Sequence, residues 1–421
     1  MIRFSCFVMF IACTYLVSLG QGESHEVIQI NGENICVADL TNSEHDNFIN
    51  FSKVVSAIGT SDIVVISESD HGDYSAIRSR KLLMEYLHEF CGFNVLITEY
   101  SFFPMEFVVN KYGEKDMFCN YRKITPENYY WEYLPELFNW VDRLGFNGEN
   151  PFRLSGCDIG YYKYNIEVID SAIKLINKEL LESKKYKWFT DYYLTLKQEP
   201  FNQKKKEEKV FCQYCDYLID FFRMNDPNSI DIQYLRNIKA TVMYYFLSKN
   251  LNNIRSTRMM NLREKQMAEN IIWLIEHKFK GQKIIVSISS FHSMRNLSSI
   301  SSKQIQKRYS VGQYLWNYFG DRIYSIACIG YNGRTGRAID SYNIIDGKRQ
   351  MYVESQFHNA GYKQAFVDFR SLSNNDPFYM DALYNLPNYQ FAVWNEVFDG
   401  IIFNDSIYPA FIVPKEMDTC K

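Results

Sequence analysis

Along the chain, short runs of β-branched and apolar residues recur between stretches of helical periodicity. They read DIVVIS from Asp62, FNVLIT from Phe93, PFRLSG from Pro151, KIIVSIS from Lys283 and IYSIACIG from Ile323. Runs that are apolar on both faces and alternate with helices predict a mostly parallel sheet covered by helices on both sides, an α/β architecture. KQAFVDFRSL and DGIIFN, near the C-terminus, are expected to add a strand or two, at an edge. Between the third and fourth runs the pattern changes. From about Tyr161 to Glu276 the apolar spacing is three and four, as in IEVIDSAIKLINKELL and MAENIIWLIEHKF, which predicts an all-helical insertion forming a cap. No repeat or low-complexity linker interrupts the rest, so residues 21–421 are expected to form one domain carrying that cap.

Composition narrows the partners. With 421 residues and 47% apolar content the chain has ample material for a core, and 46 basic against 49 acidic residues give a net charge of −3. That balance carries no electrostatic footprint for nucleic acid or an anionic membrane surface. The 32 Tyr and 31 Phe suit either a core or a pocket for an amphipathic ligand. The opening MIRFSCFVMFIACTYLVSLGQGES has one Arg before an apolar stretch of roughly 14 residues and then small residues, the pattern of a secretory signal peptide cut near Gly20. A secreted or periplasmic protein without a later membrane span is expected, an uncleaved anchor being the alternative. Eight cysteines follow that segment, scattered too widely for a small disulfide scaffold. Cys212 and Cys215 lie in a helical, apolar context and are expected to be buried helix cysteines.

The chemistry collects at strand ends. In an open parallel sheet, ligands bind beyond the carboxyl ends of the strands. After IVVIS come Glu68 and His71, after NVLIT comes Glu99, after FRLSG comes Asp158, and KIIVSIS leads into SSFH, Ser289 to His292. Each alone has a plain structural reading, a helix N-cap for the carboxylates and a hydrogen-bonded core residue for a histidine. Two histidines and three carboxylates on one sheet edge point instead to a site. A histidine held by a carboxylate suits general-base activation of water. No Gly-x-Ser-x-Gly elbow offers a nucleophile. Metal binding stays open, since two His and two or three carboxylates suit Mn, Zn or Fe, although no His-Glu-x-x-His signature is present. His25, His45, His88, His277 and His358 have no comparable placement.

These residues resemble the erythromycin esterase-like hydrolases. ISESDHG resembles that family's Gly-Glu-x-x-His loop, and RSRKLLMEYLHEFCGF leads from it to LITEY at a similar interval. WEYLPELFNWVDR, LSGCDI, MAENIIWLIEH, VGQYLWNYFGDRIYSIACIGYNG and FDGIIFN resemble further blocks in the same order. The resemblance implies hydrolysis of a cyclic or linear ester by water attack with no covalent intermediate; no metal and no cofactor are expected. His71 would be the base, Glu99 its partner or the group orienting the water, and Glu68 and Arg80 supports, Arg80 having a surface charge as its plain alternative. His292 would contact the substrate or polarise its carbonyl, beside Ser289 and Asp158. Two positions depart from the family: Ser67 replaces a Gly, and Ser289 replaces the first His of His-Asn-x-His. The second departure leaves an inactive binding protein as an alternative to an esterase acting on a small-molecule ester, with a metal-dependent hydrolase as the third.

Overall fold

The computed structural model describes residues 27–41, 51–113, 116–125, 140, 151–196, 204–248, 257–303, 305–338, 341–347, 350–384, 386 and 390–410. The signal-like segment and most of WEYLPELFNWVDR lie outside them. The strands are β1 (Val27–Ile30), β2 (Glu33–Cys36), β3 (Ala38–Asp39), β4 (Ile63–Glu68), β5 (Phe93–Ser101), β6 (Arg153–Asp158) and β7 (Lys283–Ser289). They continue with β8 (Ile323–Ala338), β9 (Ser341–Ile345), β10 (Gln364–Asp368), the short pair β11 (Phe378–Tyr379) and β12 (Phe391–Ala392), and β13 (Gly400–Ile407).

Six of these strands run parallel, in the order β13, β8, β4, β7, β5, β6. β10 pairs antiparallel with β13, β3 closes that edge antiparallel to β10, and β9 folds back on the far end of β8. DGIIFN is therefore not at an edge, in contrast to the sequence expectation. Its strand, β13, is flanked on both sides and buried over nearly its whole length, as its unbroken apolar run requires. The two-residue β3 takes the edge, and a strand that short offers little template for another chain. β1 and β2 form a separate hairpin whose Asn31-Gly32 turn has φ of 51° and 78°, the left-handed pair that a primed turn demands.

The side chains of β4 show why the runs are apolar throughout. Ile63 and Val65 point into one core with Ile97, Val286 and Ile288, while Val64 and Ile66 point into the other with Leu96, Ile285 and Ile326. Alternation sends successive residues to opposite faces, and both faces are dry. Each of these side chains, fully buried, contributes about 1.5–3 kcal/mol.

The second core is covered by α1 (Phe51–Ile58), α2 (Tyr74–Cys91), α3 (Phe102–Tyr112) and α4 (Met117–Ile124). The first is covered by the helices between β6 and β7: α5 (Tyr164–Ile176), α6 (Lys178–Glu182), α7 (Lys184–Thr195), α8 (Lys205–Asn225), α9 (Ile230–Ser248) and α10 (Thr257–Trp273). Among the described residues no strand interrupts this segment. The one-turn α11 (Ser290–Ser293) follows β7, and α12 (Val311–Phe319) packs on the same face. A third core, under β8, β10 and β13, is closed by α13 (Val353–Asn359) and α14 (Trp394–Val397). Among the described residues no helix is long and apolar enough to cross a membrane. Cys212 is half-buried, Cys215 is buried, and both are free thiols.

Candidate functional site

β4 ends in Glu68, and the chain turns through His71 into α2, whose N-cap Asp73 accepts a hydrogen bond from the Ala76 N–H at 3.0 Å. The turn folds His71 back on Glu68, placing Nδ1 2.7 Å from Glu68 Oε1. A carboxylate only accepts, so Nδ1 carries the proton and Nε2 is left as the basic nitrogen. Arg80 lies on the buried stripe of α2, with Ile77, Met84 and Leu87. It reaches Glu68 Oε2 through Nη1, which also donates to Ser287 Oγ at 2.9 Å. The structure therefore buries Arg80 rather than leaving it a surface charge.

Glu99 owes its position to an irregular strand. β5 pairs with β6 as Thr98 with Gly156, then as Ser101 with Asp158, so Glu99 and Tyr100 together face the single residue Cys157. Such a bulge bends the strand and re-aims side chains. Only a glycine fits opposite it, because a Cβ on residue 156 would lie 2.5 Å from the Tyr100 carbonyl oxygen. The bulge turns Glu99 towards β7 and α11. There the Ser289 N–H donates to Glu99 Oε2 at 2.9 Å, and His292 Nε2 lies 3.0 Å from Glu99 Oε1.

Two residues that the sequence reading missed complete the cluster, both on α10. Arg263 donates from Nη2 and Nε to Asp158 at 2.6 and 2.9 Å, and its Nη2 lies 3.6 Å from Glu99 Oε1. Glu264 Oε1 is 2.7 Å from His292 Nδ1, and its Oε2 accepts from the Val311 N–H at 3.0 Å. A signal for Glu264 did exist, since it stands on the apolar stripe Met260, Met267, Ile271, where a carboxylate has no place without a partner. Glu68, His71, Arg80, Glu99, Asp158, Ser289 and His292 are thus brought together at one edge of the sheet, and they form one connected network with Arg263 and Glu264.

The charges inside this network are fixed by one another. Burial pushes the Glu99 carboxyl up, but His292, His71 and Arg263 outweigh it and hold the group well below the usual carboxylate range. Burial depresses His292, but Glu99 and Glu264 on its two nitrogens raise it to about 10, so it is an imidazolium at neutral pH. An imidazolium with both N–H groups committed cannot take a proton from water. His71 Nε2 faces Glu99 Oε1 at 3.8 Å, too far for a direct hydrogen bond and wide enough for one water bonded to both. Glu99 and Asp158 also form part of the wall of a cleft of about 700 Å³. Among the described residues no group of three or more His, Cys, Asp or Glu side chains is arranged to hold a metal ion. The cations around Glu99 are arginine and histidine instead.

The family model of erythromycin esterase matches residues 88–407. The chain belongs to that family. Over 404 residues it is 22% identical to the erythromycin esterase type II of Escherichia coli, covering 86% of this chain and 93% of the relative. It is 23% identical over 392 residues to a putative hydrolase, YbfO, of Bacillus subtilis, covering 83% and 85%. The fold is shared with a Bacillus cereus protein at TM-score 0.71 and 16% identity, covering 90% of this chain and 97% of that one. It is also shared with an erythromycin esterase mutant, EreC, in its open conformation, at TM-score 0.64 and 13% identity, covering 86% and 94%. The named relatives are hydrolases, and family membership assigns the chain to that class, with a small-molecule substrate.

Proposed function

We propose that the protein is an exported esterase that cleaves an ester or lactone by direct attack of water, with His71 as the base. The observation that carries this reading is the 3.8 Å gap between His71 Nε2 and Glu99 Oε1, Glu99 being on the wall of the cleft. A water bridging them loses a proton to Nε2 while its oxygen bonds to the ester carbonyl carbon. The tetrahedral intermediate collapses by breaking the C–O bond, and the leaving alkoxide takes the proton back from His71. Glu68 fixes the imidazole tautomer and stabilises its cationic form, with Arg80 holding Glu68 in turn. Glu99 orients the water, and His292 holds Glu99 ionised and aimed. Arg263 sets positive charge where the carbonyl oxygen becomes an oxyanion. No side chain forms a bond to the substrate, so neither an acyl-enzyme nor a burst of alcohol release accompanies turnover.

Export is supported by the signal-like opening and by Cys119, which is held in a disulfide. Disulfides persist in oxidising compartments. N-terminal sequencing of protein from a secreting host is expected to show cleavage near Gly20.

The hydrolytic reading is tested by an ester panel with wild type beside His71→Ala and Glu99→Gln, each with and without chelator. Both variants are expected to lose at least ~10²-fold in kcat/KM, with no effect of chelator. Full turnover by His71→Ala defeats the assignment of the base. Chelator loss restored by a divalent ion replaces it with a metal-dependent mechanism, and binding without turnover across the panel replaces it with a binding protein.

A further inference from the structure

The cleft says what kind of ester it is built for, an inference that rests on the hydrolytic reading above. Its wall carries six tyrosines: Tyr100, Tyr121, Tyr161, Tyr162, Tyr164 and Tyr245. A tyrosine offers a flat apolar face with a hydrogen-bonding tip, and several of these are already locked in place. Tyr161 stacks on Tyr193 with centroids 4.9 Å apart, Tyr164 stacks on Phe107 at 5.3 Å, and the Tyr162 hydroxyl donates to Ser101 Oγ at 2.8 Å. Preset ring faces lose little freedom when a planar ligand lies against them.

The charges on the wall are uneven in availability. Its two carboxylates among the described residues, Glu99 and Asp158, are engaged by His292, Arg263 and the Ser289 N–H. Its two ammonium groups are not so matched. Lys123 donates to Asn120 Oδ1 at 3.0 Å, and Lys163 lies over the Tyr164 ring at 4.9 Å, so neither has a carboxylate partner among the described residues. An amine entering the cleft meets two like charges and no available carboxylate. A carboxylate meets two donors.

We propose that the cleft takes aromatic esters bearing a carboxylate, with the rings against the tyrosine wall, the anionic group answered by Lys123 and Lys163, and the ester carbonyl at Glu99. The probes are 4-(benzoyloxy)benzoate and its neutral match 4-(benzoyloxy)benzamide, with the same two rings and the same ester. At low salt, wild type is expected to prefer the carboxylate by about tenfold in kcat/KM. The preference should shrink as salt is raised to ~0.5 M and fall to about onefold in Lys123→Gln/Lys163→Gln. Equal turnover of the two probes by wild type, or a preference untouched by the lysine changes, overturns the proposal. Equilibrium binding of both probes to Glu99→Gln separates the two layers of argument. A lysine-dependent preference in binding, with no turnover by wild type, keeps the ligand class and removes the esterase. Absence of both binding and turnover removes the ligand class.

Discussion

Substituting Gly156 by Ala tests whether the β5 bulge aims the site. The new Cβ would lie 2.5 Å from the Tyr100 carbonyl oxygen and 2.7 Å from that of Ser101. Carbon and carbonyl oxygen in contact settle at about 3.3 Å, so the bulge must retreat by roughly 0.8 Å. Glu99 sits inside that bulge, and its hydrogen bond from the Ser289 N–H and its contact with His292 are 2.9 and 3.0 Å long. A shift of that size breaks at least one of them. Misplacing a catalytic group by about 1 Å costs on the order of 10²-fold in rate, while overpacking one methyl costs about 1–3 kcal/mol of stability and leaves the protein folded. The assay is kcat/KM on any accepted ester, with a thermal melt as a check on folding. Glu99→Gln and the double variant complete a cycle. If Gly156→Ala acts by moving Glu99, the double variant is no slower than Glu99→Gln alone. Wild-type kcat/KM in folded Gly156→Ala, or losses that multiply in the double variant, refute the reasoning.

Four further outcomes follow from the charges. His292→Gln removes the largest cationic influence on Glu99, so the Glu99 carboxyl should titrate at higher pH than in wild type, as read by 13C NMR of that carboxyl; an unmoved titration counts against the pairing. In wild type His292 is raised to about 10, so its stabilisation is fully present below pH 6.5 and lost as pH climbs through 10, a decline in Tm that His292→Gln should flatten. Burial raises Asp73 to about 6 against its hydrogen bonds from Ala76 and Tyr384, so the folded state loses up to about 3 kcal/mol between pH 4 and 6 as this group ionises. Asp73→Asn, an equally good N-cap, is expected to remove that slope and to be no less stable than wild type at pH 7.5, as read by denaturant titration. Finally, Glu106 is 1% exposed and holds Lys278 at 2.6 Å and the Ser155 hydroxyl at 2.7 Å. Glu106→Ala should cost about 3 kcal/mol in chemical denaturation while kcat/KM stays at the wild-type value.

The parallel strands were legible because burial on both faces leaves no polar position to blur them, as in Ile63 to Ile66. Glu68, His71, Glu99 and Asp158 were legible for the complementary reason, since titratable groups directly follow such runs. The bulge was not, because Thr98-Glu99-Tyr100 reads like any strand end and the deciding residue, Gly156, lies on the neighbouring strand. Nor were Arg263 and Glu264 picked out. Their stretch, NLREKQ, looks like a solvated helix face, and only the Met260 and Met267 flanks hint that part of it turns inward. The expectation for DGIIFN failed because its place in the sheet is set by its partners, β8 on one side and β10 on the other, which its own residues do not reveal.

The place of β7 has a consequence for biogenesis. It lies between β4 and β5, yet it is made after the whole helical segment that begins at Tyr164. Until Lys283–Ser289 leaves the ribosome, the two earlier strands have an open slot between them, and neither His292 nor the Glu99 hydrogen bond from Ser289 exists. Nascent or truncated chains ending before that point carry unpaired strand borders of the kind that recruit chaperones or aggregate. The candidate site is therefore assembled late in synthesis, together with closure of the sheet.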